Sequence, residues 1–140
     1  MKITFLKRGF FHRLFGIPAT RRPSDPQAWR FAEGRIAIDL ARAPELKSPG
    51  GALRLEGGRL PWRVLVVHGD DGAFHAFQNR CSHIGHRRLD PVPGTKTIQC
   101  CSVGRSTYTY DGEKIFGPST GPIRTLAVVR EGDRLIVSLS

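Results

Sequence analysis

Three cysteines and two of the five histidines lie in two short stretches of this chain, and these residue types bind metals. The first stretch contains Cys81, His83 and His86, and the second contains the adjacent pair Cys100 and Cys101. Thiolates and imidazoles are the ligands of zinc sites and of iron–sulfur centres. The sequence therefore predicts a metal or iron–sulfur centre held between two loops.

The segment between the two stretches has the pattern of a strand, a turn and a returning strand. Pro91, Pro93 and Gly94 mark the turn, and Thr95 to Gln99 has the composition of the returning strand. A hairpin of this kind brings its two ends together. We therefore expect both loops to lie side by side at one end of a sheet.

These stretches resemble the Rieske iron–sulfur domain, in which a Cys-x-His loop and a Cys-x-x-His loop hold one [2Fe–2S] cluster. The likeness extends to the hairpin before Cys81, to the turn Tyr110-Asp111-Gly112 and to Gly117-Pro118, which is similar to the family's third loop. It covers roughly residues 34–139. The resemblance implies that Cys81 and His83 are cluster ligands.

The second ligand histidine of that family is missing from this chain. Three residues after Cys100 stands Val103, and three after Cys101 stands Gly104, and neither side chain can bind iron. Counting from Cys101 aligns more of the downstream residues with the family, so we favour Cys101 as the ligand cysteine. The family's loop-bridging disulfide is absent too, and His86 occupies one of its two positions.

Three interpretations of this altered site remain open. In the favoured one the cluster persists, with Cys100 and Cys101 both binding or with one of them joined by His86. In the second, the cluster is lost and the fold serves as a binding or structural subunit. In the third, Cys100 and Cys101 form a strained, reactive vicinal disulfide. The first is favoured because a spare cysteine and a spare histidine accompany the single lost ligand.

Two hydroxyl residues follow the second stretch. The resemblance, counted from Cys101, implies that Ser106 and Tyr108 donate hydrogen bonds to a bridging sulfide and to a cysteine sulfur. Such bonds stabilise the reduced cluster and raise its potential. The alternative is ordinary strand polarity.

The charge of the chain is uneven. The 140 residues carry a net charge of +10, and residues 1–30 hold seven Lys or Arg against one acid, Asp25. This points to an acidic partner, either a redox protein with an acidic face or an anionic membrane. Nothing resembles a nucleic-acid-binding module, so we expect no nucleic acid partner.

The first residues form a basic amphipathic segment. Along residues 2–17 the apolar side chains fall on about half of a helical wheel, with most of the basic ones opposite. Two interpretations stay open: contact of residues 1–17 with an anionic membrane or a partner, or a helix packed on the domain's own sheet. The segment is too short to span a bilayer. Residues 18–26 contain three prolines and are typical of a linker.

The rest of the chain consists of short, alternating, glycine-punctuated runs. We predict an all-β domain over residues 31–140, a Rieske-like fold of small antiparallel sheets, preceded by the segment and linker of residues 1–30. We expect a one-electron carrier of the ferredoxin type that is not an enzyme by itself. Its expected location is the cytoplasm, or peripherally on the membrane.

Overall fold

The computed structural model describes residues 3–81 and 87–139. Its secondary structure is nearly all β, as predicted, with one short helix, α1 (Phe10–Leu14). The strands are β1 (Trp29–Ala32), β2 (Arg35–Asp39), β3 (Ala52–Leu55), β4 (Val64–His68), β5 (Phe74–Gln78), β6 (Leu89–Val92), β7 (Thr97–Cys100), β8 (Thr107–Thr109), β9 (Lys114–Phe116), β10 (Thr125–Glu131) and β11 (Arg134–Ser138). Two 3₁₀ turns, Leu40–Arg42 and Pro44–Leu46, precede β3.

Seven strands form one antiparallel sheet, in the order β1-β2-β11-β10-β5-β4-β3. Alternation explains how it folds: Ile36 and Ile38 of β2 and Leu53 and Leu55 of β3 all turn into the core, while their neighbours on the strands are more exposed. In β4 Val64 to Val67 are buried on both faces. One face of β4 packs into the large core, and the other contacts the second sheet.

The second sheet has the order β6-β7-β8-β9 and carries the predicted ligand stretches at one end. Its core contains Leu89, Ile98, Cys100 and Tyr108, packed on Leu65 and Val67 of β4 together with Phe77, Cys81 and Ile123. The hairpin from β6 to β7 pairs Leu89 with Cys100. The ends of both loops are therefore adjacent, as the hairpin pattern predicted.

The turn of this hairpin lies later than the sequence pattern indicated. Pro91 is inside β6, opposite Ile98, and not in the turn. A proline is tolerated there because β6 is an edge strand, where a missing N–H removes no ladder bond. The turn itself lies at residues 93–96, with Lys96 at a φ of 57°.

The N-terminal segment is mostly extended and packs on the second sheet. Its helix covers only Phe10–Leu14, shorter than the amphipathic pattern of residues 2–17. The following linker is fastened by Asp90, whose carboxylate accepts hydrogen bonds from the backbone N–H groups of Ala19 and Thr20, both at 2.8 Å. Within residues 3–81 and 87–139, no helix has the length and apolar character needed to cross a bilayer.

Candidate metal centre

Two cysteine thiols meet at the buried end of the second sheet. Cys81 and Cys100 belong to the same core cluster, are almost fully inaccessible to solvent, and share a hydrogen bond between their side chains. The Tyr108 hydroxyl lies 3.2 Å from the Cys81 Sγ atom. This is a pair of sulfur ligands placed side by side, with a hydroxyl against one of them.

The pairing has a clear electrostatic consequence. The hydrogen bond with Cys81, burial and repulsion from a second thiolate all raise the pKa of the Cys100 thiol above its ordinary value. Two thiolates held this close and away from water need a cation between them. The thiol pair therefore fits a site in which a metal supplies that charge.

Backbone hydrogen bonds close both loops around the pair. The Cys81 N–H donates to the Arg87 carbonyl at 2.8 Å, so the ends of the first loop are fixed together. The Cys100 N–H donates to the Ser106 carbonyl at 2.7 Å, which closes the second loop in the same way. His83 and His86, the predicted imidazole ligands, lie outside the described residues.

Cys101 occupies a different environment from its neighbour. It is buried but does not belong to the core cluster that contains Cys81 and Cys100. Burial and the nearby Asp90 carboxylate raise the pKa of its thiol to about 11, although Arg87 opposes this. Cys101 directly follows Cys100, the last residue of β7, and adjacent side chains on an extended backbone point to opposite faces.

The second loop rests on the segment that the sequence pattern identified as a third loop. The Ser119 N–H donates to the Ser106 Oγ atom at 3.1 Å, and Ser106 is buried. Gly117 has a φ of 99°, and a Cβ atom there would lie 2.5 Å from the Ser106 Cα atom. Glycine is therefore required for this close approach. Ser106 and Tyr108 thus lie beside the two loops, and their roles toward a cluster stay predictions.

An arginine from the N-terminal helix reaches the second loop, and no sequence pattern predicts this contact. The Arg13 guanidinium donates to the carbonyls of Cys100 at 3.4 Å and Ser102 at 3.3 Å, and also to the Leu6 carbonyl. Its fourth acceptor is the Gln99 Oε1 atom at 3.1 Å. Arg13 is buried, and burial followed by repulsion from Arg105 lowers its pKa.

A second buried charge supports the first loop. Glu56 follows β3, and its side chain is 6% exposed. Its carboxylate accepts hydrogen bonds from Arg88 and from Arg54, the latter at 3.0 Å. Burial raises the pKa of this carboxyl, but the hydrogen bonds from the two arginines outweigh it and lower the pKa to about 2. Because the Arg88 carbonyl accepts the Cys101 N–H, Glu56 helps to fix the chain between the two loops.

Within residues 3–81 and 87–139, no three His, Cys, Asp or Glu side chains converge as a metal-binding group. Of the three cysteines, Cys81 and Cys100 are in contact, and Cys101 lies apart from them. Cys100 and Cys101 are both free thiols, and the vicinal disulfide stays a prediction.

Comparison with known proteins finds relatives over the part of the chain that contains the three cysteines. The family model described as the Rieske [2Fe-2S] domain matches residues 38–127. The chain is 32% identical to the glycine betaine monooxygenase oxygenase subunit of Chromohalobacter salexigens, over 69% of this chain and 23% of that protein. It is 30% identical to the ferredoxin component of biphenyl 2,3-dioxygenase from Rhodococcus jostii, over 66% of this chain and 83% of that protein.

Solved structures agree on the fold. The ferredoxin of carbazole 1,9a-dioxygenase from Nocardioides aromaticivorans IC177 superposes with a TM-score of 0.54 at 20% identity, covering 69% of this chain and 91% of its own. The quaternary ammonium Rieske monooxygenase CntA gives 0.54 at 19% identity, over 69% of this chain and 31% of its own. The chain thus spans most of a ferredoxin component but less than a third of either oxygenase.

Proposed function

We propose, because this chain belongs to the Rieske [2Fe–2S] domain family, that it is a one-electron carrier whose cluster has an altered ligand set. The observation that supports this most directly is the buried Cys81–Cys100 pair with the Tyr108 hydroxyl against it. A [2Fe–2S] centre bound there would supply the reversible exchange of a single electron. We propose a carrier and not a stand-alone enzyme because the chain matches a ferredoxin component over most of that relative's length.

We assign the sulfur ligands to Cys81 and Cys100, whereas the resemblance to the family favours Cys101 over Cys100. The support is the side-chain hydrogen bond between Cys81 and Cys100, with Cys101 lying among charged groups instead. His83 is the first imidazole ligand in this assignment. His86 takes the fourth position ahead of Cys101, because a thiolate from Cys101 would require the loop to kink.

The chain's own residues would prepare this site for a change of charge. The Tyr108 hydroxyl can donate to the Cys81 sulfur, and the carbonyls of Cys100 and Ser102 are held by Arg13. Arg13, Arg63 and Arg88 all lie close enough to Cys101 to interact with its charge. Nearby cations favour the more negative, reduced state of a centre.

Replacing Tyr108 by phenylalanine is expected to lower the reduction potential of the centre. The reduced state carries more negative charge and gains more from a donor at sulfur. If the hydrogen bond is stronger in that state by about 1.4 kcal/mol, its loss lowers the potential by roughly 60 mV. Protein-film voltammetry measures this. Tyr110→Phe is the matched control, because the Tyr110 hydroxyl contacts Asp70 and not a cysteine. Equal shifts in both variants would remove the proposed role of Tyr108.

The expected partner is a redox protein with an acidic face. The support is the net charge of +10, which steers association toward negative surfaces. The relatives fit this arrangement, since oxygenase subunits and ferredoxin components act in multi-protein systems. Electron transfer to such a partner should therefore slow as ionic strength rises.

The decisive experiment is anaerobic purification followed by visible absorption, iron and sulfide assay, and EPR of the reduced protein. We expect iron and acid-labile sulfide in equal amounts and a rhombic signal on reduction, with a potential between about −150 and +300 mV. A colourless protein without iron that folds normally would instead support the second candidate, a Rieske-fold binding or structural subunit. The observation behind that candidate is the missing second ligand histidine, since Val103 or Gly104 stands at its position.

A further inference from the structure

The N-terminal helix faces the wrong way for a helix that only packs on its own domain. A packed amphipathic helix buries its apolar side, whereas here Arg13 is buried and the phenylalanines face outward. Phe10 is 65% exposed, Phe11 69% and Phe15 65%. Together with the exposed side chains of Leu14 and Ile17 they form what we call the apolar patch, comprising Phe10, Phe11, Leu14, Phe15 and Ile17.

Specific contacts hold the segment in this orientation. The four acceptors of Arg13 lie in the segment itself and in the second sheet and its loop. The Leu6 N–H donates to the same Gln99 side-chain oxygen at 3.0 Å, and Gln99 is buried. Gly16 has a φ of 64° and lies directly against the Arg87 side chain. The inward face is therefore polar and hydrogen-bonded to the domain, whereas the apolar patch faces outward.

We propose that the apolar patch docks on an anionic membrane surface. Exposed apolar side chains grouped in this way mark interaction sites, and aromatic residues with cations nearby are typical of segments that lie in the membrane interface. Lys7 stands within the same segment, and Arg21 and Arg22 follow it, all exposed. Asp25 is the only acid among the first thirty residues. This charge is complementary to anionic lipid headgroups.

The same charge argues against a second copy of this chain as the occupant. Two copies meeting through their patches would bring the cations of both segments together, which is repulsive. An acidic protein partner shares the charge complementarity with the membrane and is one outcome of the test. The docking does not depend on the proposed function, since no ligand of the centre belongs to the patch.

Docking would also orient the proposed centre. Because Arg13 joins the segment to the carbonyls of Cys100 and Ser102, the second loop would be held near the bilayer. This consequence rests on the proposed electron-carrier function. It places the centre where a membrane-bound electron donor or acceptor could reach it.

Co-sedimentation of the full-length protein with vesicles tests the proposal. We expect binding to vesicles of phosphatidylcholine with phosphatidylserine and little binding to phosphatidylcholine alone. The double variant Phe11→Ser, Phe15→Ser should bind at least about tenfold more weakly, because docking on the membrane would bury a large apolar area of each phenylalanine. Val129→Ser is the matched control, since Val129 is an exposed apolar residue on β10. Circular dichroism confirms that each variant folds.

Several results would overturn the proposal. If the double phenylalanine variant binds anionic vesicles as well as the wild type does, the contact depends on charge alone and not on the apolar patch. If the wild type does not bind anionic vesicles, the proposal is wrong. A patch-dependent dimer, or a patch-dependent complex with an acidic protein but not with vesicles, would assign the patch to another occupant. Iron content is measured in the same preparations, so a metal-free protein that still binds vesicles separates this proposal from the proposed function.

Discussion

Replacing Cys100 by serine is expected to abolish the cluster, whereas replacing Cys101 by serine is expected to preserve it. Cys100 is the thiol that meets Cys81 in the core, while Cys101 lies toward Asp90 and Arg87. A serine hydroxyl does not ionise as a thiol does, so it is a poor iron ligand in this position. Losing even an outer contact of a metal site costs roughly 10–100-fold in affinity, and losing a ligand should cost more.

The two variants form a matched pair because they change the same atom in adjacent, equally buried residues. Iron and sulfide per chain, visible absorption and the EPR spectrum of the reduced protein are measured for both after anaerobic purification. Loss in Cys101→Ser with retention in Cys100→Ser would restore the register that the sequence alignment favours. Loss in both would indicate that three thiolates bind, and retention in both would exclude this pair.

The convergence of the two loops could be predicted from the sequence, but which of Cys100 and Cys101 contacts Cys81 could not. Ligand-type residues and the strand pattern between them are local signals, and the structure does bring both loops to one end of a sheet. Which of two neighbouring side chains faces Cys81 depends on the register of β7 between β6 and β8. A shift of one residue reverses every side chain of a strand, so this information is not local.

The orientation of the N-terminal segment could not be predicted from the sequence either. Its helical wheel separates an apolar side from a basic side, but it does not say which side packs on the domain. The answer comes from Arg13, whose acceptors at Gln99 and Cys100 lie more than eighty residues away in the chain. Neither carries a pattern that would identify it as a partner for an arginine. Only the folded arrangement shows that Arg13 is buried while the phenylalanines are exposed.

Glu56 is expected to make the largest electrostatic contribution to stability near the site, and Glu56→Gln should remove it. The buried carboxylate accepts hydrogen bonds from Arg54 and Arg88, which lower its pKa to about 2 in the folded protein from an ordinary value of 4.5. The ionised form is therefore favoured by folding. The difference corresponds to about 3 kcal/mol of unfolding free energy as an upper estimate, since surrounding solvent screens part of the interaction.

The contribution of the Glu56 carboxylate to stability depends on pH. A carboxyl with a depressed folded pKa stabilises the protein above its unfolded value, so the full contribution is present above about pH 4.5 and is lost as the pH falls toward 2. Urea unfolding of the wild type and of Glu56→Gln is measured from pH 7 to pH 2. The gap between their free energies of unfolding should close as the pH falls from about 4.5 toward 2. Asp70 and Asp71 also have lowered pKa values and persist in the variant, so the gap isolates Glu56.

Glu113→Gln provides the control, because Glu113 is an exposed carboxylate on the turn before β9 and should change stability little. If the difference in unfolding free energy between the wild type and Glu56→Gln stays constant with pH, Glu56 stabilises the protein through packing and not through its charge.

The substitution should also affect the metal centre. Arg88 loses its buried partner in Glu56→Gln, and the Arg88 carbonyl holds the Cys101 N–H, so we expect weaker iron retention in the variant. If stability falls and iron retention is unchanged, the contact between Glu56 and Arg88 supports the fold alone and not the position of the two loops.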